Sequence, residues 1–179
     1  MNSGGHKRQP NGWKHCGNLS MTSSPHLSDD LKDLIKLFID HGLEFMIVGG
    51  HALAVYGHPR FTRDLDVFIE RDRENVRRLA SAIAAFGIVM SEASQAEMTN
   101  NPDAMIRIGA PPNQVDVLNN ISGVTFEECA PQRMYVTIGE IDVPFISLQD
   151  FVRAKKASGR DQDIEDLKKL KRLGVISDF

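Results

Sequence analysis

The chain has 179 residues, 41% of them hydrophobic and 25% charged, with a formal net charge of −3 at pH 7. That length can bury a core without disulfide or metal staples, and the balance is ordinary for a soluble globular protein. The negative charge excludes a global basic field that would hold nucleic acid by charge alone, so any RNA or DNA partner needs a local basic patch.

Residues 1–26 are rich in Gly, Asn, Ser, Pro and His and show neither a period of two nor one of 3.6. They read as a disordered tail, with residues 27–179 as a single domain. Met21 offers a second candidate start. His15 and Cys16 are two neighbouring ligands, too few for a metal site. The tail lacks the apolar stretch of a secretory signal. The apolar runs of the chain fall short of the roughly 20 residues that span a bilayer. A cytoplasmic location with no membrane partner is therefore expected. Cys16 and Cys129 have no CxxC spacing and read as reduced thiols.

Ser28 offers an N-cap for a helix over 29–40, with Leu31, Leu34, Ile35 and Phe38 at helical spacing and Gly42 ending it. Residues 44–48 (EFMIV) read as a short buried strand, broken by Gly49-Gly50, and 51–56 as a short helix. Gly57-His58-Pro59 is a turn. Residues 65–69 (LDVFI) form a strand, and 72–86 an amphipathic helix carrying Val76, Leu79, Ile83 and Phe86. Four further strands are predicted over 105–108, 115–118, 134–138 and 141–145. Ser147 opens a helix through Lys156 in a pattern resembling a capping box. Asp161 caps a last helix to about Leu173, with Ile164, Leu167 and Leu170 facing inward. This order predicts an α/β (α+β) fold, a mixed sheet flanked by helices and closed by C-terminal helices.

The stretch that carries chemistry is GGHALAVYGHPRFTRDLDVFIE, residues 49–70. Asp64 and Asp66 are two apart, so on a strand both side chains point to one face, with Cα atoms about 6–7 Å apart. Carboxylates held that way repel one another unless a cation lies between them. Mg²⁺ suits such a site, because it takes a few hard oxygen ligands and completes its shell with water and phosphates. Asp116, isolated in the strand pattern Val115-Asp116-Val117, is the candidate third ligand, and three acids could hold two metals roughly 3.5–4 Å apart. Gly49 and Gly50 let backbone approach a ligand closely, and phosphate is the expected one. Each of these signals alone has a bland explanation as a solvated edge or a simple turn. Together they are stronger, because Leu65, Val67, Val115 and Val117 place the acids inside strands, where acids are scarce.

This arrangement resembles the signature of the polymerase-β-type nucleotidyltransferase superfamily: a glycine pair, a gap of about a dozen residues, an acid-x-acid strand and a later third acid. More narrowly, the chain is similar to the small AbiEii-like toxin-related nucleotidyltransferases, through residues 49–70, 107–128 and 143–167. The resemblance implies that Asp64, Asp66 and Asp116 bind Mg²⁺, with Mn²⁺ as a substitute, and that Asp116 accepts the proton of the attacking hydroxyl. It implies that Gly49 and Gly50 shape the pocket for ATP or another NTP. Arg60, Thr62, His51, Lys155 and Arg160 become candidates for contact with the nucleotide. Packing, capping or ion pairing within the chain would explain His51, Arg60, Lys155 and Arg160 equally well, and Asp163 and Asp166 are the candidate ion-pair partners. The segment departs from the family at Gln162, where a lysine is usual. The function implied is transfer of a nucleoside monophosphate to an acceptor hydroxyl on an RNA 3′ end or a protein side chain, as part of a toxin–antitoxin pair with a protein antitoxin as partner. The competing expectation is a catalytically silent module of the same fold that binds a nucleotide or a partner.

Overall fold

The computed structural model describes residues 27–177 and 179. The tail over 1–26, with His15, Cys16 and Met21, lies outside the described residues. In helix α1 (Asp29–Asp40), the Ser28 hydroxyl accepts from the Leu31 N–H, and Asp29 and Asp30 occupy the first turn, where the positive end of the helix dipole favours them. Leu31, Leu34, Ile35 and Phe38 are all buried, as their spacing predicts. Strand β1 (Phe45–Ile47) is buried throughout. It leads into helix α2 (Gly49–Val55), which takes both glycines into its first turn. The helix expected over 51–56 thus begins two residues earlier.

Strand β2 (Asp64–Ile69) is followed by helix α3 (Arg73–Ala85), whose cap is the Asp72 carboxylate accepting from the Glu74 and Asn75 N–H groups. Asn75 stitches this helix to the strands. Its amide donates to the Glu44 and Glu70 carbonyls and its oxygen accepts from the Glu44 N–H. Helix α4 (Glu92–Asn100) was not expected. Only Met98 on it is buried, so its sequence carries no apolar stripe. Strands β3 (Met105–Ile108) and β4 (Gln114–Leu118) follow. The single turn α5 (Phe126–Cys129) has a complete capping box between Thr125 and Glu128. A short 3₁₀ turn leads to β5 (Met134–Ile138) and β6 (Ile141–Phe145), both at their predicted bounds.

Helix α6 (Leu148–Ser158) is capped by the Ser147 hydroxyl and stops at Gly159. In helix α7 (Asp161–Arg172), Arg160 occupies the N-cap position, so Asp161 is the first helical residue and not the cap. Leu167 and Leu170 face inward as predicted, but Ile164 is only partly buried, and the acids Asp163 and Asp166 go in with the leucines. The Cys129 thiol is buried, and burial first, then the Asp150 charge, pushes it up to about 12. No helix among the described residues is long and apolar enough to cross a membrane.

The six strands form one mixed sheet in the order β3-β4-β2-β1-β6-β5. Neighbours β2 and β4 run parallel, as do β1 and β6, and the other pairs are antiparallel. Phe45, Met46, Ile47, Leu65, Val67, Phe68 and Ile69 on the central strands are buried, each worth about 1.5–3 kcal/mol over leaving it in water. Helix α1 packs on α3, and α6 on α7. The core thus lies on the middle of the sheet, and that is where β2 carries Asp64 and Asp66.

Candidate active site

Parallel pairing of β2 with β4 sets Asp66 directly opposite Asp116. Asp64 lies two residues before Asp66 and shares its face. One carboxylate oxygen from each of the three acids falls within 4.8 Å of the others. The sequence placed these acids on strands, and the pairing brings them together. The crowding has an electrostatic signature. Burial first, then the Asp64 and Asp116 charges, push the Asp66 carboxyl up to about 6, while Lys155 and Arg60 pull it the other way.

The glycine pair backs onto this cluster. Gly49 has a φ of +60°, and a Cβ built on it would lie 2.0 Å from Asp66 Oδ2. A Cβ on Gly50 would lie 2.9 Å from Thr62 Oγ1. Thr62 Oγ1 is in turn 3.2 Å from the Asp64 backbone carbonyl and 3.2 Å from Asp64 Oδ1. The hydroxyl therefore steadies the first acid, whereas the sequence had offered Thr62 as a contact for the nucleotide.

His51 faces Asp64. Burial holds its imidazole below the ordinary histidine range, with the Asp64 charge opposing. Its Nδ1 is buried with no hydrogen-bond partner among the described residues. An orphaned buried donor or acceptor is costly, and a bound ligand would satisfy it. Tyr56 is buried and donates its O–H to the Ile146 carbonyl. Phe61, beside Thr62, is 83% exposed.

Lys155 is buried between two acids, 2.5 Å from Asp163 Oδ1 and 2.9 Å from Asp166 Oδ2. Arg60 Nε approaches the fully buried Asp166 at 3.4 Å. The Gln162 amide donates to Asp166 Oδ1 at 3.0 Å, and the Ser158 hydroxyl to Asp163 Oδ2 at 2.6 Å. Two cations and two polar groups thus answer two acids where α6 meets α7. Arg160 is exposed at the start of α7.

Two residues at the site were missed in the sequence. Arg107, on β3 opposite Asp116, donates from Nε to Oδ1 at 2.8 Å and from Nη2 to Oδ2 at 2.9 Å. Gln114 donates to the same Oδ1 at 3.1 Å. Arg107 was findable: Met105-Ile106-Arg107-Ile108 and Val115-Asp116-Val117 are neighbouring strands, and a tight hairpin between them sets the basic residue across from the acid.

Three hard anionic oxygens, an acid raised by burial and by its two neighbours, and a backbone bare of side chains fit a divalent cation. The mixed sheet with this cluster defines the class: the fold is that of the nucleotidyltransferases. It matches the crystal structure of a Thermotoga maritima protein provisionally described as a nucleotidyltransferase, with a TM-score of 0.52 and 16% sequence identity, over 78% of this chain and 88% of that one. The chain belongs to the family described as "Nucleotidyl transferase of unknown function (DUF2204)", whose model matches residues 27–177. No curated protein matches it.

Proposed function

We propose that the chain is a divalent-metal-dependent nucleotidyltransferase that moves a nucleoside monophosphate from an NTP to an acceptor hydroxyl. Asp64, Asp66 and Asp116 hold the cation, Mg²⁺ with Mn²⁺ as a substitute. When bound, it supplies countercharge to the triphosphate and lowers the pKa of the attacking hydroxyl. The acceptor oxygen forms a bond to the α-phosphorus, the bond from that phosphorus to the bridging oxygen breaks, and pyrophosphate leaves. The hydroxyl proton passes to the Asp116 carboxylate. Gly49 and Gly50 keep side chains out of the nucleotide's way, and Thr62 fixes Asp64. His51 Nδ1 is the group left for the substrate to satisfy, and Arg60 faces the phosphates from the Asp166 side. Arg160 is a further phosphate contact, whereas Lys155, held by two acids, sets the α6–α7 junction.

The observation that carries this reading is the register of Asp66 against Asp116, which gathers three acids on the sheet of a chain from a nucleotidyltransferase family. The acceptor in this reading is an RNA 3′ end or a protein side chain, in a toxin–antitoxin pair whose antitoxin is a protein. The resemblance to toxin-related enzymes supports it, as does the basic last turn of α7, with Lys169, Lys171 and Arg172. The test is transfer of label from each of four α-labelled NTPs with Mg²⁺ to total RNA or lysate protein, with Asp64→Asn/Asp66→Asn protein alongside. Label on either acceptor with the wild type alone supports the activity, and no label from any NTP counts against it.

The second reading, a silent module that binds nucleotide without turnover, has one observation in its favour. Asp116 is already engaged by Arg107. Saturable binding of NTP with no transfer in the same assay would favour it.

A further inference from the structure

Asp116 is the acid of the cluster whose charge the chain answers from within. The Arg107 guanidinium forks onto both of its oxygens, and Gln114 adds a third donor at Oδ1. With two lone pairs on each oxygen, Oδ1 is fully used and Oδ2 is half used. A charge-assisted fork of this kind is among the stronger polar contacts a protein makes. Mg²⁺ demands near-ideal ligand directions and takes a carboxylate oxygen through the same lone pairs. The one lone pair left on Oδ2 could still take a cation, but a divalent cation there would share a single negative charge with the guanidinium, and two positive groups on one carboxylate repel each other. Arg107 is the easiest to lose: it stands on the edge strand β3, with its side chain 54% exposed, so it can move without opening the core.

We propose that Arg107 is a built-in stand-in for the metal, holding Asp116 while the cluster lacks a cation and giving up that carboxylate when a divalent cation binds. The inference rests on the metal-centre reading above. It has two consequences. The site binds its cation more weakly than three bare acids would, and cation binding frees a guanidinium at the rim of the site, where a phosphate-bearing substrate can take it.

The test is Mn²⁺ binding by electron paramagnetic resonance without nucleotide, on wild type and Arg107→Met. Competition between two ligands of one group is a coupling, so the variant is expected to bind roughly tenfold more tightly. Melting curves with and without saturating Mg²⁺ run alongside, and Mg²⁺ should raise the melting temperature of Arg107→Met more than that of the wild type. A purely structural arginine would lower both curves of the variant equally. Equal or weaker Mn²⁺ binding by the variant overturns the proposal and leaves Arg107 as a residue that positions Asp116 for the metal. Mn²⁺ binding by neither protein overturns the metal-centre reading itself, a different result from the first. Arg107→Gln serves the same comparison if the methionine variant does not fold.

Discussion

Gly49 lies so close to Asp66 that a Cβ on the glycine would meet the carboxylate oxygen at 2.0 Å. Gly49 is therefore required by the Asp66 carboxylate, and Gly50 by Thr62, quite apart from any ligand. Gly49→Ala carries two costs: a φ of +60° that alanine resists, and displacement of Asp66. Gly42→Ala isolates the first, because Gly42 has a φ of +65° and nothing within 4 Å of its added Cβ. We expect Gly42→Ala to cost about 1–2 kcal/mol in urea unfolding and to leave Mn²⁺ binding intact. Gly49→Ala should cost more and weaken Mn²⁺ binding. Equal effects of the two substitutions would refute the steric account.

The raised Asp66 carboxyl makes metal-free stability depend on pH. Its folded value of about 6 lies above the unfolded value near 4. Below about pH 4 both states hold the proton and no penalty exists. Between about 4 and 6 the unfolded chain releases its proton first, so stability falls as pH rises. Above about 6 the penalty is complete, on the order of 3 kcal/mol. Asp116 and Asp163, held below the usual carboxylate range, contribute in the opposite sense, so the comparison must isolate Asp66. Asp66→Asn should melt progressively higher than wild type as pH rises from 4 to 6, with a constant gap above. Saturating Mg²⁺ should close that gap by neutralising the wild-type cluster. A gap that does not vary with pH would refute the assignment.

The parts of this fold that were legible in the sequence are those whose signal is local. The Ser28 cap and the apolar spacing of α1 gave its bounds, and short apolar runs gave β3, β5 and β6. Helix α4 was hidden because Met98 alone is buried, so no periodicity exists to read. The single turn α5 was missed although Thr125 and Glu128 stand at capping-box spacing. The buried face of α7 was half legible: Leu167 and Leu170 could be read, but Asp163 and Asp166 are inside only because Lys155 and Arg60 arrive from other elements. The three acids of the site could be named because each sits within a strand pattern. Arg107 took one step more, because its role depends on the register of β3 against β4, which follows only once the two are paired as a hairpin.

The Lys155 cluster yields a prediction that separates a structural from a substrate role. Removing the lysine leaves two acids facing each other at the α6–α7 junction, with Asp166 fully buried. Lys155→Met should cost about 3–5 kcal/mol, the usual penalty for orphaning a buried charge. Mn²⁺ binding by the protein that stays folded should change little. The Gln162 amide already contacts Asp166, so a lysine there would be a third cation beside two acids. Gln162→Lys is accordingly expected to leave stability within about 0.5 kcal/mol of wild type. A loss of nucleotide affinity in Lys155→Met without loss of stability would contradict this and return Lys155 to the phosphates.

Thr62 offers the sharpest test of how Asp64 is held. Its hydroxyl has one proton, with the Asp64 carbonyl and Oδ1 both at 3.2 Å, and its body fills the space that a side chain on Gly50 would need. Thr62→Val keeps that shape and removes the donor. The fold should lose only about 1 kcal/mol. Asp64 would then turn more freely, and Mn²⁺ binding should weaken roughly tenfold, as when a metal ligand loses the partner that orients it. Thr62→Ser, which restores the hydroxyl, should recover most of that affinity. If Thr62→Val binds Mn²⁺ like the wild type but loses affinity for NTP, then the hydroxyl serves the nucleotide directly and Asp64 is held by the strand alone.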